Sequence, residues 1–157
     1  MNTVAPLFSP GDVLLDLVLP NKQALFEAVG RLWEGHHGIV ANEVVASLNA
    51  REELGSTGLG HGVAIPHARI QGLNEAVAAF VRPKMPIEFD SPDGNPVAYC
   101  FVLLVPAEAT EHHLQILAEV AEMLSSEQFR ERLHAAKSQS EMYQLFADWS
   151  QSNSGRG

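Results

Sequence analysis

Cysteine, positive charge and long apolar runs are the scarce features of this chain. A single cysteine, Cys100, among 157 residues excludes an internal disulfide. With no CxxC and no HExxH either, the spacings on which zinc sites are usually built are missing. Ten Lys and Arg stand against nineteen Asp and Glu, a formal charge of −9. Neither a nucleic-acid backbone nor an anionic membrane surface finds the basic face it needs. No apolar run approaches the roughly 20 residues that span a bilayer, and no basic region precedes the first apolar residues in MNTVAPLFSPGDVLLDLVLP. The chain is therefore expected in the cytoplasm, with proteins or small molecules as partners, no nucleic acid and no membrane insertion.

What is present is an ordinary globular composition. Hydrophobic residues make up 46% and charged residues 18%, enough for a buried core without metals or disulfides. A single domain over residues 1–157 is expected, with its core from about 7 to 149 and a polar, frayed tail over 150–157. Cys100 sits in the apolar run Val97 to Val105, where it reads as a small buried hydrophobe.

Periodicity places the elements. Val13 to Val18 reads as a strand, Pro20 and Asn21 as a turn and cap. Ala24, Leu25, Ala28, Val29, Leu32 and Trp33 then recur at helical spacing up to Gly35. A second helix, Asn42 to Leu54, offers Val44, Val45, Leu48 and Leu54, stops at Gly55 and carries Arg51 in its last turn. Residues 55–62 are expected to be loop. Strand signals follow at Val63 to Ile65, Ala76 to Val81, Ile87 to Phe89 and Val97 to Val105, the last apolar on both faces and hence central. Ser91-Pro92-Asp93-Gly94 makes the turn before it. The rest is helical, with stripes at Leu114, Leu117, Val120, Ala121 and Leu124, at Phe129 and Leu133, and at Met142, Leu145, Phe146 and Trp149. Ser125 with Gln128 and Ser138 with Glu141 are candidate capping boxes. The order implies an α/β sandwich: one domain with a central mixed sheet flanked by helices.

The segment GSTGLGHG invites a phosphate-cradle reading, because close glycines let backbone amides approach an anion. It holds no lysine, so the Walker pattern fails. The dinucleotide fingerprint fails as well: its third glycine would fall at Val63, and the loop precedes a strand rather than following one. His61, His67, His112 and His113 could converge on a metal, which keeps a metal-dependent hydrolase as a minor alternative. His36 and His37 read as solvated partners of a helix C-terminus, and Glu52 and Glu53 as solvated residues near a helix end.

His67 stands apart. A proline fixes the backbone before it, and a glycine-rich loop allows other backbone to come close. Imidazole is a competent nucleophile near neutral pH, since its ordinary pKa of about 6.5 leaves the neutral form dominant. Phosphoryl transfer asks its surroundings mainly for positioning and charge stabilisation. Arg51 offers a cation, Ser56 and Thr57 hydroxyls, the loop its amides, and a second histidine lies downstream.

Two motifs then become specific. RE-x-x-GSTG-x-G-x-G-x-AIPH, Arg51 to His67, and LLVPAEATEHHLQILAEVA, Leu103 to Ala121, resemble the IIA domains of the fructose/mannitol class of the bacterial phosphoenolpyruvate phosphotransferase system. The resemblance runs from about Leu7 to Trp149 and is strongest to the free-standing nitrogen-regulatory members. It implies the mannitol/fructose-type IIA fold. It also implies that His67 accepts a phosphoryl group at Nε2 from an HPr-type phosphocarrier, that Arg51 and Thr57 stabilise the phosphoryl oxygens, and that His113 rather than His112 lies beside the ring. No metal or organic cofactor is implied. Family members often carry Gly after the active histidine, where this chain has Ala68 and then Arg69.

Two fates of the phosphoryl group are open. A sugar-specific fructose or mannitol component would hand it to a IIB domain. A regulator would keep it, and its phosphorylation state would control binding to targets such as potassium transporters or sensor kinases. These 157 residues hold no IIB, HPr or membrane module, so regulation is the expectation.

Overall fold

The computed structural model describes residues 2–108 and 110–150. The tail expected over 150–157 lies, past Ser150, outside the described residues. Two short 3₁₀ turns, Ala5–Leu7 and Pro10–Asp12, lead into β1 (Val13–Leu15), α1 (Lys22–His37) and α2 (Ala41–Glu53). There follow β2 (Gly58–Gly60), β3 (Val63–Ala64), β4 (His67–Ile70), β5 (Val77–Arg82) and β6 (Tyr99–Pro106). Helices α3 (Glu111–Ser125), α4 (Glu127–Ala135) and α5 (Gln139–Ala147) close the chain.

The strands form one six-stranded mixed sheet in the order β1-β5-β6-β3-β2, with β4 also pairing β6. β6 is central. One edge runs antiparallel to β5, and the other runs parallel first to β3 and then to β4. Because Ala64 pairs Cys100 and His67 pairs Leu103, β3 and β4 follow β6 in one register and are interrupted only at Ile65-Pro66. Pro66 has no N–H to give the ladder. Its carbonyl still accepts from Leu103 N at 2.9 Å, while Ile65 N turns away to the Thr57 carbonyl at 3.1 Å.

Alternation along the strands divides the core in two. Phe101, Leu103 and Val105 of β6, with Ala78 and Phe80 of β5, pack under α3, α4 and α5 around Phe8, Phe129 and Phe146. Cys100, Val102 and Leu104, with Val77, Ala79 and Val81, pack under α1 and α2 around Phe26, Trp33 and Leu48. Ala68 and Ile70 of β4 belong to this second face, so period two sends His67 and Arg69 to the α3 face. The sandwich expected from the sequence is the fold observed, and no helix among the described residues is long and apolar enough to cross a membrane.

Several boundaries differ from the expectation, each for a local reason. The first strand stops at Leu15 because Asp16 adopts φ 58°, outside extended backbone. α1 runs past Gly35 to His37 and is ended by Gly38 at φ 68°, the left-handed position glycine tolerates. Residues 58–60 pair with β3 and are not loop. Ile87 to Phe89 contributes only one bridge, Ile87 to Val97. The buried face of α3 is Ile116, Val120, Met123 and Leu124, leaving Leu114 64% exposed, and Leu54 beyond α2 is 84% exposed. Ser126, not Ser125, caps α4, accepting from Phe129 N at 3.2 Å. His36 is not merely solvated: its Nδ1 lies 2.7 Å from the carboxylate of buried Asp12.

Candidate functional site

The proline break is what presents His67. Starting β4 directly after Pro66, the imidazole folds back so that Nδ1 lies 2.8 Å from the Ile65 carbonyl. A carbonyl only accepts, so Nδ1 carries the proton and Nε2 keeps its lone pair. The ring is half-buried. Burial is the main force lowering its pKa from the ordinary value; the Ile65 carbonyl opposes this, Arg51 lowers it further and Glu52 pushes it back up. A neutral imidazole with a free Nε2 is the form able to attack an electrophile.

His67 lines a hollow of 470 Å³ with Arg51, Leu54, Arg69, Leu103, His113 and Leu114 among its walls. Arg51 comes from the last turn of α2 and His113 from the first turn of α3, so the site lies where both helices meet β4. Arg51 Nη1 donates to the Gly55 carbonyl at 2.9 Å, which directs the guanidinium along the glycine loop. His113 has the tautomer opposite to His67. Its Nδ1 accepts from Thr110 N at 3.0 Å, so the neutral ring carries its proton on Nε2. Burial, then the charges of His112 and Arg69, lower its pKa. One hollow thus holds an imidazole acceptor atom, an imidazole donor and two guanidinium groups. His112 and His61 are exposed and absent from the walls.

Thr57 is placed differently. It is 5% exposed and is not among the walls of the hollow. Its hydroxyl donates to Glu52 Oε1 and its amide donates to the same carboxylate at 3.1 Å. Glu52, expected to be solvated, has a side chain only 6% exposed and takes a third partner, Lys22 Nζ, at 2.8 Å. A carboxylate at a helix C-terminus is disfavoured by the helix dipole and needs partners of this kind; that was the available signal for it in the sequence. Ser56 is spent on structure, donating to the Phe89 carbonyl and accepting from Gly58 N at 3.0 Å. Gly58 is required by contact, since a Cβ there would lie 2.3 Å from Ser91 Oγ. Cys100 is buried and inert, its thiol pushed well up by burial, with Glu52 adding to the effect. Among the described residues no group of three or more His, Cys, Asp or Glu is arranged to hold a metal ion.

Residues 6–149 match the family model of the phosphoenolpyruvate-dependent sugar phosphotransferase system, EIIA 2. The chain belongs to this EIIA 2 family. Curated relatives include the nitrogen regulatory protein of Pseudomonas aeruginosa, 38% identical over 143 residues that cover 90% of this chain and 93% of that one. The nitrogen regulatory protein of Escherichia coli is 38% identical over 129 residues, 82% of this chain and 79% of the relative. Among solved structures, the nitrogen regulatory protein IIA-Ntr of Neisseria meningitidis superposes with a TM-score of 0.87 at 40% identity, covering 92% of this chain and 99% of that one. As an EIIA 2 member, the chain is a component of a phosphotransferase system.

Proposed function

We propose that this protein is a phosphohistidine carrier of a nitrogen-related phosphotransferase system, with His67 as the acceptor and an HPr-type phosphocarrier as the donor. The observation that carries the reading is the bond from His67 Nδ1 to the Ile65 carbonyl, which leaves Nε2 unprotonated. In the transfer, the Nε2 lone pair forms the new N–P bond as the donor's N–P bond breaks, and the electron pair of that bond returns to the donor nitrogen. Arg51 offsets charge on the equatorial oxygens. His113 donates from its Nε2 proton, while Thr57, bonded to Glu52 outside the hollow, braces the loop and the helix end that carries Arg51. No proton leaves His67, because Nδ1 keeps its own.

The phosphoryl group adds about −1.5 to −2 charges at neutral pH. On a chain already at −9, that change beside Leu54 and Leu114 alters which partner surfaces the site accepts. In this reading the output is regulatory: target proteins, such as potassium transporters or sensor kinases, distinguish the two states. The names of the Pseudomonas and Escherichia relatives favour this over delivery to a sugar-specific IIB domain.

Intact-mass measurement after incubation with phosphoenolpyruvate, enzyme I and an HPr-type carrier tests the reading. One acid-labile phosphoryl addition is expected, lost when the carrier is omitted and lost in His67→Ala. A folded wild-type chain that takes no phosphoryl group from any competent carrier overturns it.

A further inference from the structure

Arg51 and Glu52 are neighbours in sequence, carry opposite charge and share the last turn of α2, yet they do not pair. Glu52 is held by Lys22, the first residue of α1, thirty residues upstream, at 2.8 Å. Lys22 is in turn held over the Phe89 ring, 4.9 Å from its centroid. Phe89 also receives the Ser56 hydroxyl through its carbonyl. Among the described residues Arg51 has no carboxylate partner; it gives one hydrogen bond, to the Gly55 carbonyl. Adjacent helical side chains diverge, but both are long and sit at a helix end, so a buried carboxylate one residue from an unpaired guanidinium can draw it in unless a second cation takes that carboxylate.

We propose that Lys22 is a positioning residue for phosphoryl transfer: as counter-ion to Glu52 it keeps that carboxylate off Arg51, so the Arg51 guanidinium stays available to an incoming anion. The role rests on reading His67 as the phosphoryl acceptor. It also assigns Glu52 a purpose that does not need its charge, since what Thr57 requires is only an acceptor for its amide and hydroxyl. A glutamine carbonyl at 52 meets that requirement without competing for Arg51.

The test uses Lys22→Met, Lys22→Gln, Glu52→Gln and the double variant Lys22→Met with Glu52→Gln, all checked for folding by thermal unfolding. Two quantities are read: the rate of His67 phosphorylation from an HPr-type donor, and the rate at which an arginine-selective dicarbonyl labels Arg51, followed by peptide mass. Removing Lys22 is expected to slow phosphorylation about tenfold, less than the loss of Arg51 itself, and to slow labelling of Arg51 alongside it. Adding Glu52→Gln is expected to restore both. Labelling needs no donor, so it reads the state of Arg51 independently of transfer. If the wild type is phosphorylated and Lys22→Met or Lys22→Gln changes neither rate, Lys22 has no such role. If the double variant is as slow as the single one while both stay folded, Lys22 acts only as structure and the proposal fails. A wild type that takes no phosphoryl group overturns the acceptor reading itself, and the role of Lys22 with it.

Discussion

The hydroxyl of Thr57 donates to the carboxylate of Glu52, five residues earlier in the chain. This bond ties the glycine loop to the helix end that carries Arg51. The loop after α2 is therefore braced from within. Ile65 N donating to the Thr57 carbonyl at 3.1 Å extends the brace to the strand that ends just before His67.

Among the described residues Arg51 bonds only the Gly55 carbonyl, so its removal should leave the fold in place. Arg51→Gln is expected to slow phosphoryl acceptance about 10²-fold and to change unfolding free energy by less than about 1 kcal/mol. Rapid-quench transfer kinetics beside urea unfolding check this. Unchanged kinetics would remove Arg51 from the site.

Acceptance should resist mild acid. The attacking form of His67 is the neutral one, and burial chiefly, then Arg51, holds its pKa below the ordinary value. The rate should therefore begin to fall at a lower pH than the ordinary imidazole midpoint of about 6.5 would give. Arg51 lowers this pKa and Glu52 raises it. The midpoint should accordingly move up in Arg51→Gln and down in Glu52→Gln. NMR titration of the His67 ring reads all three, and a wild-type midpoint above that of an exposed histidine contradicts the account.

His113 has two duties that substitution can separate. Its Nδ1 satisfies Thr110 N at the start of α3, which a glutamine at that position can also do. His113→Gln is expected to keep wild-type stability but slow transfer. His113→Ala should slow transfer and also lose about 1 kcal/mol, the value of one such bond. Equal transfer rates in wild type and His113→Gln would leave His113 a helix cap alone.

Gly58 tests how tightly the loop is held. An added Cβ would lie 2.3 Å from Ser91 Oγ and 3.1 Å from Ser91 Cβ. Gly58→Ala is therefore expected to cost about 1–3 kcal/mol in urea unfolding and to slow phosphorylation by shifting Thr57. Ser91→Gly in the same chain should recover part of both losses; no recovery would place the strain elsewhere.

Much of the frame was legible because periodicity survives folding. The amphipathic stripe of α1, the doubly apolar β6 and the Asn21 cap, which accepts from Ala24 N at 2.9 Å, each follow from local pattern. Leu54 and Leu114 fit the same helical stripes and yet stay exposed, because periodicity finds a face without saying whether anything covers it. β4 was illegible for a related reason: its partner is a strand more than thirty residues away, and four residues carry too short a period to show.

By itself, the sequence determined the α/β layering, the break that Pro66 imposes before His67, and the motifs that mark an EIIA 2 chain. Those are properties of residue type, order and spacing. Tertiary structure alone decided that Arg51, His67 and His113 share a hollow, that Glu52 is buried against Lys22 and Thr57, and that the two histidines hold opposite tautomers. A charge finds its partner, and an imidazole its proton, through whatever lies within about 3 Å, and that distance is set across the fold rather than along the chain.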